Sequence, residues 1–442
     1  MTHSDIIIIG SGPGGYRAAA YAAANGLTVT VFEEQHVGGT CLNCGCIPTK
    51  TLCRNAEVVD TLKKADVFGI DDLSYRLNYS RMRERKNKVV DTLRSGVETL
   101  LSAPGIQLVR QHARFADSKT VVAGDESYTA DHIIIATGSK SKMLPVPGID
   151  KPIVMTSTEL LDIEAPPRRL CIVGAGVIGM EFASIFNSLG SEVTVVEFLK
   201  ECLPALDSDV AKRLRQTLSR RGVNFLMQSG VQEITDTGVV YERKGKRESV
   251  EADVVLIATG RAPRTEGLDL EKAGVACDRN GIITDEHLRT NVPGIYAIGD
   301  VNGRMMLAHA ATFQGLHVVN GILGKHDNIR LDIIPAAIFT HPEAACVGTT
   351  EDACKQSGLP YTCRKGYYRA NGKALAMDET EGFVKLLADG DNKIIGCHLF
   401  GAHAADMAQE ISALMNAGAT TAQLHDIIHI HPTLSEILQE MA

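Results

Sequence analysis

The chain has 442 residues, enough for two or three domains, and 44% hydrophobic content gives ample material for buried cores. A formal net charge of −8 and a pI near 6.0 leave no basic stripe for nucleic acid, and no run of 18 apolar residues offers a membrane span. Eleven cysteines, odd in number and widely scattered, argue against a secreted disulfide framework and for the cytoplasm, where a disulfide is catalytic more often than structural. Seven of them, Cys171, Cys202, Cys277, Cys346, Cys354, Cys363 and Cys397, show no paired spacing and read as small core or surface residues.

The first element is Asp5–Ile9, too short and too poor in leading basic residues for a signal peptide, so it reads as a buried strand. Gly10-Ser11-Gly12-Pro13-Gly14-Gly15 follows, then an alanine-rich helix from Tyr16 to Asn25 and a strand, Leu27–Phe32, ending at Glu33. Together these make a complete dinucleotide fingerprint. Gly10 turns the chain, Gly12 lets backbone approach a pyrophosphate, and Gly15 lets helix pack on strand. The positive end of the helix faces the phosphates, and Glu33 is placed to accept hydrogen bonds from a ribose.

Next comes Gly38-Gly39-Thr40-Cys41-Leu42-Asn43-Cys44-Gly45-Cys46-Ile47-Pro48-Thr49-Lys50. On a regular helix Cys41 and Cys46 point roughly 140° apart, whereas a disulfide needs Cα atoms within about 7 Å. A bridge between them therefore requires a distorted first helical turn, which Gly39, Gly45 and Pro48 make available. Such a strained, accessible bridge has a raised reduction potential. Cys41 and Cys44, three apart, share a helix face, so another bridge, or metal ligation by Cys41, Cys44 and Cys46, is also stereochemically allowed.

Thr51–Val67 continues as helix, and Arg81–Ser102 is a second, highly charged one. Its apolar stripe reads as Val89, Val90, Leu93, Val97, Leu100 and Leu101, with the Arg/Lys cluster as a solvated face. Strands Ile106–Val109, Lys119–Val122 and Asp131–Ala136 lead to the turn Thr137-Gly138, and Leu144–Gly148 is a Pro/Gly-rich boundary. Beyond it the first pattern recurs: strand Leu170–Val173, Gly174-Ala175-Gly176-Val177-Ile178-Gly179, helix Met180–Leu189, strand Glu192–Val196 and Glu197. A second fingerprint implies a second dinucleotide, and a carboxylate at Glu197 accepts a ribose 2′-OH but repels a 2′-phosphate, favouring NAD(H) over NADP(H). Val254–Ala258 with Thr259-Gly260-Arg261 echoes the earlier strand and Thr-Gly turn. From Asp332 the strands Ile334–Phe339, Phe383–Leu387 and Ile394–Leu399 and the helix Ala404–Ala417 describe a different kind of domain. The tail reads His429-Ile430-His431-Pro432-Thr433-Leu434-Ser435-Glu436. His429 reads as packing.

The segment from Gly38 to Lys50, Gly294-Ile295-Tyr296-Ala297-Ile298-Gly299-Asp300, Met306-Leu307-Ala308-His309, Thr340-His341-Pro342-Glu343 and His429–Glu436 resemble, in that order, motifs of the class I pyridine nucleotide-disulfide oxidoreductases, and within them the dihydrolipoamide dehydrogenase branch. Position 44 departs from the branch, with cysteine in place of the usual valine. The resemblance implies an α/β fold of two Rossmann-like domains, FAD- and NAD-binding, plus a C-terminal α+β interface domain. It divides the chain into residues 1–147 and 265–330 (FAD-binding), 148–264 (NAD-binding) and 331–442 (dimerisation). It assigns FAD to the first fingerprint, exchange chemistry to Cys41 and the flavin side to Cys46. Lys50 and Glu181 become a pair beside the flavin. Gly39, Thr40, backbone at Ala113, Thr137, Gly138, Gly260, Asp300 (ribityl chain) and the Ala308 amide become cofactor contacts. His431, oriented by Glu436, becomes the base supplied by the other subunit of a homodimer. A lipoyl dithiol is the implied substrate, and no resident metal is expected.

Overall fold

The computed structural model describes residues 2–442. These form two compact units, each assembled from three stretches of chain.

The first unit comprises the chain up to Thr51, Arg81–Lys142 and Arg261–Leu331. Its sheet runs, strand beside strand, Ile106–Val109, Val29–Phe32, Thr2–Ile9, Glu126–Ile135, Thr120–Ala123 and Arg114–Phe115, with Ile295–Ala297 added parallel to the end of Glu126–Ile135. The first strand is central and buried on both faces. Ile6 and Ile8 enter the core shared with Ala18, Ala22 and Val97, while Ile7 and Ile9 enter the opposite core with Phe32 and Phe115. Side-chain alternation with period two produces this split, and each buried isoleucine stabilises the unit by about 1.5–3 kcal/mol. Glu126–Ile135 is longer than the expected Asp131–Ala136 because its first half also pairs antiparallel with Thr120–Ala123.

The charged helix, Tyr79–Leu101, corrects the expected stripe. Its buried positions are Tyr79, Lys86, Val90, Val97 and Leu101, whereas Leu93 is exposed. Arg94, partly covered, falls on the same face as Val90 and Val97. The basic cluster is therefore not wholly a solvated face: Lys86 is 3% exposed.

The second unit comprises Leu52–Ser80, Met143–Gly260 and Asp332–Ala442. Its parallel sheet repeats the first in miniature: Asn224–Met227, Glu192–Glu197, Arg169–Val173, Val254–Ile257 and Val154–Met155. In both sheets the fingerprint strand lies between the acid-bearing strand and the strand before the Thr-Gly turn. A helix absent from the expectations, Ser208–Arg220, is capped by the Asp207 side chain and buries Val210, Ala211, Leu214 and Leu218 at helical spacing. Ser229–Thr235, Gly238–Arg243 and Lys246–Glu251 form a three-stranded antiparallel sheet, and Ala336–Ile338, Glu343–Gly348, Ile394–Gly401, Phe383–Ala388 and Thr362–Tyr367 a five-stranded one with the helix Ala404–Asn416 packed on it. Among the described residues no helix is long and apolar enough to cross a membrane.

Two buried ion clusters join the segments of this unit. Lys385, on a strand of the antiparallel sheet, meets Asp207, Asp209 and Glu351 at 2.8, 2.9 and 2.6 Å. His341 places Nδ1 3.1 Å from Asp60 and Nε2 3.2 Å from Glu379. Arg221 bonds both Asp60 and the His341 carbonyl, and Ser188 Oγ donates to Asp60 at 2.8 Å. Burial alone would lower the His341 pKa, but bonds to two carboxylates outweigh it and raise it to about 9. Asp60, buried as well, is held below the usual carboxylate range by His341, Arg221 and Ser188. A histidine whose folded pKa lies above its unfolded value stabilises fully below pH about 6.5 and loses that contribution as pH rises through about 9. Thermal unfolding of the parent is therefore expected to fall by several degrees between pH 7 and 10. His341→Gln should start lower at pH 7 and run flatter across that window; a parallel fall in both proteins would remove His341 as the titrating group.

Candidate active site

The redox stretch folds as two helices with a break. Gly39–Cys44 is a short helix, Gly45 departs from helical geometry (φ −137°, ψ −113°), and an 18-residue helix, Cys46–Lys63, starts immediately after. A Cβ on Gly45 would lie 2.8 Å from the Thr40 carbonyl oxygen and 3.2 Å from Cys41 Cα, so only glycine permits the chain to double back this tightly. Pro48 sits in the first turn of the second helix, where a backbone N–H has no helical partner in any case. Thr49 closes that turn with Oγ to the Gly45 carbonyl at 2.6 Å. The expected distortion is thus a complete interruption between the two cysteines.

The interruption brings the sulfurs together and makes them unequal. Cys46 opens a long helix, where the unsatisfied amides and the dipole favour a thiolate. Cys41 is hydrogen-bonded to the Cys46 side chain; that bond, burial and the charge of Cys46 push its pKa up, opposed by the positive charge of Lys50. Both effects favour the proton on Cys41 over the sulfur that starts the long helix. Among the described residues no three His, Cys, Asp or Glu side chains form a group that could hold a metal ion.

The two fingerprints match in detail. Gly10 and Gly174 adopt φ of 103° and 105°, and a Cβ on either would run into the carbonyl oxygen of Ala136 or Ala258 at 2.4 and 2.5 Å. On Gly15 and Gly179 a Cβ would fall 1.9 and 2.1 Å from the carbonyl oxygens of Gly10 and Gly174, so the helix could not pack on its strand. On Gly12 a Cβ would meet nothing within 4 Å, and on Gly176 only the Ala258 oxygen at 4.0 Å. Both second glycines therefore border open space at a helix N-terminus, where a pyrophosphate fits. Glu33 accepts from Ser11 N at 3.1 Å and Oγ at 2.7 Å and from Gln35 N at 3.0 Å. Glu197 accepts from Ala175 N at 2.6 Å and Leu199 N at 2.7 Å. Each carboxylate is fixed by amides on both sides and retains lone pairs for a ribose.

Asp300 is clamped by groups that sequence reasoning did not single out. Ser139 Oγ donates to Asp300, and Arg261 donates Nε to Ser139 Oγ and Nη2 to the Ser139 carbonyl, both at 2.7 Å. The Thr137-Gly138 turn is tied to the same segment, Thr137 Oγ1 donating to the Arg264 carbonyl at 2.7 Å and Arg264 N to the Gly138 carbonyl at 2.9 Å. The signal was present: Ser139 follows one Thr-Gly turn and Arg261 the other. Ala308 opens the helix Ala308–Ile322, so its amide is one of the donors a helix leaves unsatisfied. Ala113 is buried among core residues. Gly39 abuts the first fingerprint: a Cβ there would lie 2.7 Å from Gly12 Cα, whereas Thr40 is exposed and Gly260 borders open space.

The second unit holds the remaining residues. Glu181 is 3% exposed on the helix Val177–Ser188 and accepts the Phe339 amide at 2.9 Å. In the tail, His431 Nδ1 lies 2.8 Å from Glu436 Oε1, and Thr433 N donates to Glu436 Oε2 at 2.8 Å. The Thr433 amide and His431 hold the Glu436 carboxyl below its usual range, so it stays ionised. The His431 side chain is 80% exposed. Its neighbour His429 is enclosed, with Nε2 2.8 Å from Glu410 and Nδ1 2.9 Å from the Ile427 carbonyl, in keeping with the packing role expected of it.

The sequence profile of the pyridine nucleotide-disulphide oxidoreductases matches residues 4–315, and that of their dimerisation domain matches residues 334–442. The dihydrolipoyl dehydrogenase of Chlamydia muridarum is 39% identical across 99% of this chain and 96% of its own length. That of Mycoplasma pneumoniae is 38% identical across 99% and 97%. Among solved structures, the HOCl-induced flavoprotein disulfide reductase RclA from Escherichia coli superposes with a TM-score of 0.88 at 30% identity, covering 99% of both chains. With the fingerprints, the paired thiols and these likenesses in agreement, the chain belongs to the pyridine nucleotide-disulphide oxidoreductase family, as an FAD-dependent, NAD(H)-linked disulfide oxidoreductase.

Proposed function

We propose that the enzyme oxidises a dihydrolipoyl group with NAD⁺, working as a cytoplasmic homodimer. The observation that carries this reading is the helix break at Gly45, which sets Cys41 against Cys46 and puts Cys46 at the start of an 18-residue helix, with Cys41 as the exchange sulfur and Cys46 as the flavin-side one. The likeness to dihydrolipoyl dehydrogenases along almost the whole chain supports the lipoyl substrate. The dimer is supported by the matched dimerisation domain and by the tail, where Ile428 and Ile430 are 96% and 79% exposed beside His431. Uncovered isoleucines of that extent mark a surface meant for another protein. We assign FAD-binding to residues 1–147 and 265–330, NAD-binding to 148–264 and the interface to 331–442. Gly10, Gly12, Gly15, Glu33, Gly39, Thr40, Ala113, Thr137, Gly138, Asp300 and Ala308 serve the flavin nucleotide; Gly174, Gly176, Gly179, Glu197 and Gly260 serve NAD(H). Lys50 and Glu181 act as a pair.

In this reading Glu436 holds the Nδ1 proton of His431, so Nε2 accepts a proton from one substrate thiol. The resulting thiolate attacks Cys41 sulfur, the Cys41–Cys46 bond breaks, and Cys46 leaves as the thiolate its helix N-terminus favours. The second substrate thiol then attacks the first substrate sulfur, closing the substrate disulfide and expelling Cys41, which takes up a proton. FAD, held by Gly10, Gly12, Gly15, Glu33 and Asp300, would supply the two-electron relay between the reduced Cys41–Cys46 pair and NAD⁺. A carboxylate at Glu197 would accept a ribose 2′-OH and repel the 2′-phosphate of NADP⁺.

The decisive assay is NAD⁺ reduction by dihydrolipoamide, with NADP⁺ in parallel. Turnover with NAD⁺ alone is expected; no turnover in a protein whose flavin NADH still reduces would move the substrate to another disulfide or a metal ion. Cys46→Ser should retain FAD and lose thiol-dependent turnover, and unchanged turnover would sink the disulfide mechanism. For His431→Gln, dihydrolipoamide oxidation should drop roughly 10²–10⁴-fold, while NADH-to-dye transfer stays within about twofold. Equal loss of both activities would place the base elsewhere.

A further inference from the structure

Beneath the redox turn lies a polar brace that none of the chemistry above uses. Asn43, between the two cysteines, donates its amide to the carbonyls of Val37 and Gly39 at 3.0 and 2.9 Å, with the His36 carbonyl at 3.4 Å. Its own carbonyl oxygen accepts Nε of Arg94 at 2.8 Å. These contacts leave one orientation for the amide. Flipped, it would set oxygen against carbonyl oxygens and NH₂ against a guanidinium. Arg94 belongs to the charged helix Tyr79–Leu101, on the face that also buries Val90 and Val97. Its Nη1 is held by Asp91 at 3.0 Å, and its side chain is 26% exposed against 65% for Asp91. The same helix reaches the second redox helix through Arg85, whose Nη1 donates to the Thr51 carbonyl at 3.3 Å.

We infer that Arg94, acting through Asn43, is a positioning residue that holds Cys41 at the distance and angle from which it closes on Cys46. The His36 and Val37 carbonyls lie between the strand Val29–Phe32 and the helix Gly39–Cys44, ahead of two positive-φ glycines, Gly38 and Gly39. Asn43 satisfies them, and in doing so fixes the short helix Gly39–Cys44 that carries Cys41. The charge of Arg94 strengthens that bond and anchors it to a helix of 23 residues. Two thiols held in place have a high effective concentration for each other and favour the bridge; loosening one of them favours the dithiol.

The inference rests on Cys41–Cys46 being the redox pair, so Cys46→Ser is run alongside. In buffers of reduced and oxidised dithiothreitol, alkylation and mass analysis of the Cys41–Cys46 peptide give the thiol–disulfide equilibrium without reference to flavin or turnover. Arg94→Ala and Asn43→Ala are expected to shift it at least tenfold towards the dithiol, about 30 mV for a two-electron couple. Dihydrolipoamide oxidation should fall at least tenfold, with NADH-to-dye transfer within about twofold and FAD content unchanged. Arg94→Lys, which keeps the charge but not the fork, should recover part of the shift; Asn43→Asp, which keeps the Arg94 partner but loses both donors, should recover none. An equilibrium within about twofold of the parent in both alanine variants overturns the inference. So does a dye-transfer loss equal to the dithiol loss, which would make the brace a general support of the fold. Retained dithiol turnover in Cys46→Ser would instead overturn the redox assignment beneath it.

Discussion

Two sulfurs separated by four residues meet here because the backbone gives up its helix at a single glycine. With any side chain at Gly45 the Thr40 carbonyl and Cys41 Cα stand in the way, and Cys41 and Cys46 would remain on opposite sides of one continuous helix. The break has a second effect that a loop would not supply. It makes Cys46 the first residue of an 18-residue helix, so the geometry that brings the sulfurs together also places them in unequal electrostatic surroundings. Position and electronics come from one backbone event.

Around that event the molecule uses the same dinucleotide device twice, and the repetition extends beyond the glycines. In both copies the acid at the end of the second strand is gripped by the amide after the first glycine and by the amide two residues beyond the acid itself. A carboxylate so held has little rotamer freedom left to lose on meeting a hydroxyl donor, which lowers the entropic cost of such a bond. The second unit spends its buried charges differently. Lys385 and His341, each enclosed by carboxylates, join stretches of chain that are far apart in sequence. Replacing one member of such a cluster leaves its partner buried and uncompensated, which is why these sites tolerate change poorly.

Much of this was legible from residue order alone. Period-two isoleucines, glycines at fixed offsets and an acid at the end of the next strand announced both parallel sheets, and the cysteine spacing announced a broken helix. The antiparallel sheet was half seen, since Glu343–Gly348 and Thr362–Tyr367 lack a clear alternation, with one buried on both faces and the other mostly exposed. The helix Ser208–Arg220 was overlooked although Val210, Leu214 and Leu218 recur every four residues. Arg94 and Lys86 were lost inside a basic run because a run of like charges looks the same whichever member turns inward; only the phase of Val90 and Val97 distinguishes them. Ser139 and Arg261 could not be paired from sequence, as 122 positions separate them and their bond depends on the antiparallel pairing of Ser139–Ser141 with Arg261–Pro263. Local patterns identified the elements, and non-local pairings completed the sites.

The way the chain alternates between its two units governs how the protein emerges from the ribosome. Glu126–Ile135 acquires its parallel neighbour, Ile295–Ala297, only after more than a hundred intervening residues of the other unit have been made. The helix Ala308–Ile322, whose Val318 and Val319 complete the core shared with Ile6 and Ile8, arrives later still. A nascent chain therefore exposes one apolar face of its first sheet throughout synthesis of the second fingerprint. Domains that fold as units from the N-terminus onward cannot do so here. The first unit closes only when about three quarters of the polypeptide exists, and until then its isoleucine-rich strand is a surface for chaperones to occupy.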